Sequence, residues 1–329
     1  MTPFINLQSM NRAYITAIAA IASLLVGCGG STKPQSEESS NTQSDTACIT
    51  TTRTMKRSVE DVRTLRTREE YEAMIAHYWD DFDFECGAEV AQYDTVDMLM
   101  AMSDYVLFIP RQSADSLLRS LMVRASQSRE VLNFFTMLTE EVLHNPNSPL
   151  RNDEYYIPVL EAILASPLLD EYDRIAPAYD LEIAQQNRIG CVANDFVYTL
   201  ANGRKGRLHD IGAQYTILMF SNPGCPMCAE IIDEICASPL INEMGEMGRV
   251  EILNIYPDAD LEAWRNYLVN LPTGWINGYD NGMVITEKRL YNLSAIPSLY
   301  LLDSQKRVLI KDGVSVAHIE DVIALMEAQ

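Results

Sequence analysis

Histidine is scarce in this chain: four in 329 residues, His77, His144, His209 and His318, none at the close spacing of paired metal ligands. There is also no second CxxC, so a four-ligand structural zinc site lacks the usual ligand spacing and no metal is expected. No glycine-rich phosphate loop is present, and no Ser-His-Asp or paired-carboxylate arrangement can be placed. That leaves nucleotide binding and the common hydrolase chemistries without candidates. Positive charge is in deficit, with 25 Lys and Arg against 46 Asp and Glu and a net charge of −21. Such a chain repels nucleic acid and anionic lipid surfaces, and we read its acidity as serving solubility rather than one basic partner. No internal repeat stands out.

What the chain does have is Cys225-Pro226-Met227-Cys228, between a short apolar strand pattern at 216–220 and a helical one at 229–237. Two intervening residues place both sulfurs within bonding reach on the first helical turn. There the unsatisfied N–H groups and the helix dipole favour a thiolate on the leading cysteine. Cys225 is the candidate nucleophile and Cys228, one turn in, the candidate resolving thiol. Pro226 falls at the first helical position, where its fixed φ fits and its missing N–H is not needed. Taken alone, the pair is equally compatible with a structural disulfide. Its context favours redox chemistry: 69 residues after Cys228 stands Pro297, at the start of the strand pattern Ser298-Leu299-Tyr300-Leu301-Leu302. A proline cannot donate to a sheet ladder and belongs at a strand's first residue or edge.

These residues carry a resemblance. Ala193-Asn194-Asp195-Phe196, the turn Ala201-Asn202-Gly203-Arg204, the strand into the CPMC motif, Trp264 and residues 291–303 around Pro297 resemble membrane-anchored thioredoxins of the TlpA and ResA type. Upstream, residues 144–152 and Tyr155-Tyr156-Ile157-Pro158 resemble the helical domain of unknown function that precedes such thioredoxins in some bacterial lipoproteins. The resemblance implies a cis-proline at Pro297 facing the CxxC, with Ile296 and Pro297 holding a partner's extended backbone beside Cys225. It also implies disulfide-containing envelope proteins and a membrane electron donor as partners, and no cofactor beyond the Cys225–Cys228 disulfide. Two positions depart from the pattern. Met219 stands where thioredoxin keeps a buried aspartate, and Ile231 where ResA-type proteins keep a glutamate, with Glu230 one residue off. No base for Cys228 is identified. Met227 replaces the histidine of strongly oxidising relatives, which favours a reducing or isomerising role.

The N-terminus reads as an export signal over 1–27: Arg12, then an apolar run of 14 residues at 13–26, shorter than the roughly 20 a membrane span needs. Leu25-Val26-Gly27-Cys28 resembles a bacterial lipobox, which makes Cys28 the lipid attachment site. An ordinary signal peptide cleaved nearby is the alternative. Cleavage before Cys28 leaves 24 basic against 46 acidic residues. Residues 28–47 are polar and small, a flexible tether. The expected location is the bacterial cell envelope, facing the periplasm, with the outer membrane favoured over the inner.

The expected fold is two-domain α+β. An all-α helical domain over 48–187 is followed by an α/β thioredoxin-like domain over 188–329 with a central mixed sheet flanked by helices. Thr67 and Glu70 form a capping box, and apolar residues from Tyr71 through Val96 to Leu138 recur at helical spacing as core. Residues 270–287, with Trp275 and Tyr279, read as an insertion near the Pro297 loop. Cys48, Cys86, Cys191 and Cys236 remain, enough for two disulfides in an oxidising compartment. Cys236, about 12 Å along the helix from Cys228, reads as a buried core thiol. Two rival function classes stay open: a binding lipoprotein with a structural CxxC disulfide, and a thiol peroxidase. The peroxidase ranks last, because Asn222 stands where a Thr-x-x-Cys pattern needs threonine.

Overall fold

The computed structural model describes residues 67–328 apart from Cys86 and Val314. The expected signal segment, Cys28, the tether, Cys48 and Cys86 lie outside the described residues. The chain divides into two compact units, one ending at Ala178 and one beginning at Tyr179.

The first unit is helical. Helix α1 (Arg68–Ala76) starts at the expected capping box: the Glu70 N–H donates to Thr67 Oγ1 at 3.1 Å and the Thr67 N–H donates to Glu70 Oε2 at 3.2 Å. Helix α2 (Thr95–Phe108) is capped by Asp94 and stops before Pro110; α3 (Ala114–Ala125), α4 (Arg129–Leu143) and α5 (Asp153–Ala165) follow. Their apolar stripes meet in a core that includes Met98, Met102, Leu118, Met122, Leu132 and Leu138. Phe135 anchors it, with Trp79 edge-on at 5.1 Å and Phe82 at 5.0 Å. Val96, expected in this core, is 44% exposed on the first turn of α2. Helix α6 (Ile175–Ala184) crosses into the second unit.

The second unit is a seven-stranded mixed sheet in the order β2-β1-β5-β4-β3-β6-β7. The strands are β1 (Val197–Leu200), β2 (Lys205–Arg207), β3 (Tyr215–Phe220), β4 (Val250–Tyr256), β5 (Ile276–Tyr279), β6 (Ser298–Leu302) and β7 (Val308–Gly313). β3, β4 and β5 run parallel, and the remaining pairings are antiparallel. Strand β3 is apolar at nearly every position because both faces are covered. Tyr215, Ile217 and Met219 face helices α7 (Pro226–Ala237), α8 (Pro239–Glu246) and α11 (Val316–Glu327), while Leu218 and Phe220 face Phe196, Tyr291 and Ile285 of the short α10 (Val284–Glu287).

Residues 270–287 are not an insertion. They contain β5, which pairs with β4 from Leu253↔Ile276 to Tyr256↔Tyr279 and with β1 at Thr199↔Tyr279, so the segment is part of the sheet. Four residues rich in glycine and asparagine carry too little apolar periodicity to show a strand in the sequence. Trp264, on α9 (Leu261–Tyr267), is buried and packs on Tyr279 with ring centroids 4.8 Å apart.

Candidate active site

The CPMC motif lies where β3 ends. After Phe220 the chain turns through Gly224, at φ +76°, into Cys225, whose N–H donates to the Asn222 carbonyl at 3.3 Å. Asn222 Nδ2 in turn donates to Asp258 Oδ2 at 2.6 Å, tying this turn to the loop after β4. Cys225 is the N-cap of α7 and Pro226 its first helical residue. The Cys228 N–H donates to Cys225 Sγ at 3.1 Å, so an unsatisfied helix donor points at the leading sulfur. The two cysteines are disulfide-bonded with Cα atoms 5.3 Å apart.

Exposure separates the two sulfurs. Cys228 is fully buried among Met219, Ile231 and Ile232, whereas Cys225 is half-buried beneath an exposed Pro226 and a Met227 that is 54% exposed. Only Cys225 can meet an incoming disulfide. Across from it, Ile296 places its carbonyl oxygen 3.8 Å from Cys225 Sγ, and the Ile296–Pro297 peptide bond is cis. Register explains the meeting: β6 is antiparallel to β3 with Phe220 opposite Ser298, so the residues just after Phe220 and just before Ser298 converge at one end of the sheet.

The neighbouring strands β3, β4 and β5 carry neutral polar groups near the positions where the thioredoxin pattern has a carboxylate. Met219 and Ile231 are buried and Glu230 is exposed. At the register position opposite Met219 stands Asn254, 2% exposed, which accepts from Ser221 Oγ at 2.6 Å and donates to Asn277 Oδ1 at 3.2 Å. Asn277 Nδ2 continues to the Pro272 carbonyl at 2.9 Å. These amides were absent from the sequence reading. The one signal was an asparagine inside the otherwise apolar strand pattern of β4.

Cys191 and Cys236 are free and exposed, which corrects the reading of Cys236 as a core thiol. The buried stripe of α7 is Cys228, Ile231, Ile232 and Ile235. Eight residues turn Cys236 about 80° from Cys228 at 100° per residue, and the helix ends one residue later. Partial desolvation by its helix neighbours and the nearby Asp233 push its thiol pKa up, away from the thiolate form. Among the described residues no group of three or more His, Cys, Asp or Glu could hold a metal ion.

Residues 28–187 match the family described as Domain of unknown function (DUF5106), and residues 212–308 match the family described as Thioredoxin-like. A thioredoxin-like protein from Bacteroides caccae ATCC 43185 is 38% identical with a TM-score of 0.75, the match covering 81% of this chain and 96% of that one. This chain belongs to the thioredoxin-like family. The C-terminal domain of an uncharacterized protein from Bacteroides fragilis NCTC 9343 is 45% identical, covering 42% of this chain and 98% of its own, with a TM-score of 0.41. No curated protein matches the chain. Within the thioredoxin-like frame, this member packs Cys228 in one core with Met219 and Ile231, the two positions where the pattern has a carboxylate.

Proposed function

We propose that this thioredoxin-like protein is a thiol-disulfide oxidoreductase of the bacterial cell envelope that reduces or isomerises the disulfides of other envelope proteins. The observation that carries the reading is the asymmetry of the pair: a half-buried Cys225 held by a helix N–H and faced by the Ile296 carbonyl, above a fully buried Cys228. In the reduced protein the Cys225 thiolate attacks one sulfur of a partner disulfide, and the other partner sulfur leaves as a thiolate. The Cys228 thiolate then attacks Cys225 Sγ and releases the partner's second thiolate. The partner gains two electrons and Cys225–Cys228 becomes the disulfide, which a membrane donor re-reduces with two electrons. Ile296 and Pro297 hold the partner's backbone during attack. Lipid on Cys28 and the tether over 28–47 give the domain its reach from the membrane, with the outer membrane preferred. Among the described residues no helix is long and apolar enough to cross a membrane.

A Cys228→Ser variant removes the resolving thiol, so it should accumulate mixed disulfides through Cys225 that mass spectrometry identifies. Recovery of no covalent partner from the envelope would instead support a binding lipoprotein with a structural disulfide.

A further inference from the structure

We propose that Asp312 is a positioning residue that fixes the Ile296–Pro297 arm opposite Cys225; its use in substrate binding rests on the thiol-disulfide reading above. Between β6 and β7, Leu299 pairs with Gly313 and Leu301 with Ile310, so a step of two residues on β6 is matched by three on β7. The extra residue makes a bulge, a device that re-aims a side chain. Asp312 lies in it at φ +49°, a left-handed conformation that aspartate tolerates better than most residues.

The bulge turns its carboxylate onto β6. A single oxygen, Asp312 Oδ1, accepts both from Ser298 Oγ and from the Tyr300 hydroxyl, each at 2.8 Å. Ser298 is 3% exposed and Tyr300 fully buried, and residues two apart on a strand share a face, so one carboxylate oxygen serves both hydroxyls where little water can replace it. Ser298 is the residue directly after Pro297. A side chain pinned there fixes the end of the arm whose other residue, Ile296, lies against Cys225 Sγ. At its far end the arm is held by the Tyr291 hydroxyl on the Asn194 carbonyl at 2.6 Å and by the Ser294 N–H on Asn292 Oδ1 at 3.1 Å. On the strand side Ser298 is paired with Phe220 of β3, and Asp312 adds a side-chain tie to that pairing, although it touches neither cysteine.

The test uses the full chain in three forms: wild type, Asp312→Gly, which removes the carboxylate at a φ that glycine adopts freely, and Asp312→Asn, which keeps an oxygen at the same place. Insulin, whose chain must lie along the arm, is the protein disulfide, with dithiothreitol supplying electrons; the aromatic disulfide DTNB, small enough to reach Cys225 unaided and scored on pre-reduced protein over a Cys225→Ser blank that counts the other thiols, the exposed Cys191 and Cys236 among them, is the control. Asp312→Gly should lower kcat/KM for insulin about tenfold, the size of one lost charge-assisted hydrogen bond, with the loss in KM, while DTNB rates and the redox equilibrium constant against glutathione move less than about twofold. Amide hydrogens of residues 296–300 should exchange faster in the glycine variant alone, and Asp312→Asn should restore both readouts. Equal losses on insulin and DTNB, accelerated exchange across the whole sheet, or an asparagine variant as impaired as the glycine one would overturn the proposal. If wild type reacts with DTNB and never reduces insulin, the oxidoreductase reading fails, and the local exchange pattern by itself upholds or rejects the tie.

Discussion

At the scale of single residues, the redox poise depends on what surrounds Cys225 Sγ. A helix N-terminus and the Cys228 N–H at 3.1 Å stabilise its thiolate, but Pro226 and Met227 add no charge and no ring N–H. With so little added to stabilise the thiolate, the couple should sit nearer thioredoxin's potential of about −270 mV than the roughly −120 mV of a strong oxidant. Equilibration against glutathione or dithiothreitol buffers measures this, and a value above about −150 mV would place the protein among oxidants. The cysteines and Pro297 were legible in the sequence because a CxxC at a strand-to-helix junction and a proline at a strand start each have one local geometry that suits them. Asp312 was not. Followed by glycine it reads as a strand's end, whereas β7 continues through Gly313 with a bulge that only the pairing with β6 defines.

At the scale of elements, legibility tracked periodicity. The strand at Val250–Tyr256 and the closing helix were visible because their apolar residues repeat over two or more turns or pleats, while β5 has four residues and takes its place from the two strands beside it. The link from β5 to α10 holds a titratable group that the sequence did not single out. Asp280 is 2% exposed, accepts the Ile285 N–H at 2.7 Å, and is pushed above the usual carboxylate range by burial, against the opposing pull of the Ile285 and Val284 N–H groups. A pKa higher in the folded than in the unfolded state means that the folded protein binds the extra proton in the window between the two values. Stability from this group is then present in acid and lost as pH rises through the folded value. Asp280→Asn keeps an oxygen for Ile285 and removes the charge, so the difference between its urea midpoint and that of wild type should shift in the variant's favour as pH rises from about 4. Parallel curves for the two proteins would show that the carboxylate ionises without cost.

At the scale of the molecule, the helical pattern in the sequence ends near Gly190, which places a boundary at 187/188, whereas the second compact unit begins at Tyr179. The nine residues between them are helical by local pattern yet make specific bonds to the sheet domain. Lys311 Nζ donates to the Ala184 carbonyl at 2.8 Å and to the Gln186 carbonyl at 2.6 Å. Asn187 donates through Nδ2 to the Leu290 carbonyl at 2.7 Å and accepts from the Asn194 N–H at 2.7 Å, and Arg289 lies over the Tyr179 ring. Such side-chain ties to backbone have no period and leave no trace in a sequence pattern. A fragment of residues 179–329 should therefore unfold cooperatively by heat or urea. One of residues 188–329 lacks the acceptors of Lys311 and both bonds of Asn187, roughly four hydrogen bonds at about 1 kcal/mol each, and should be less stable by about 2–4 kcal/mol. Equal urea midpoints for the two fragments would favour a boundary at 187/188 over one at 178/179, and a molten transition for the longer one would mean that the two units depend on each other to fold.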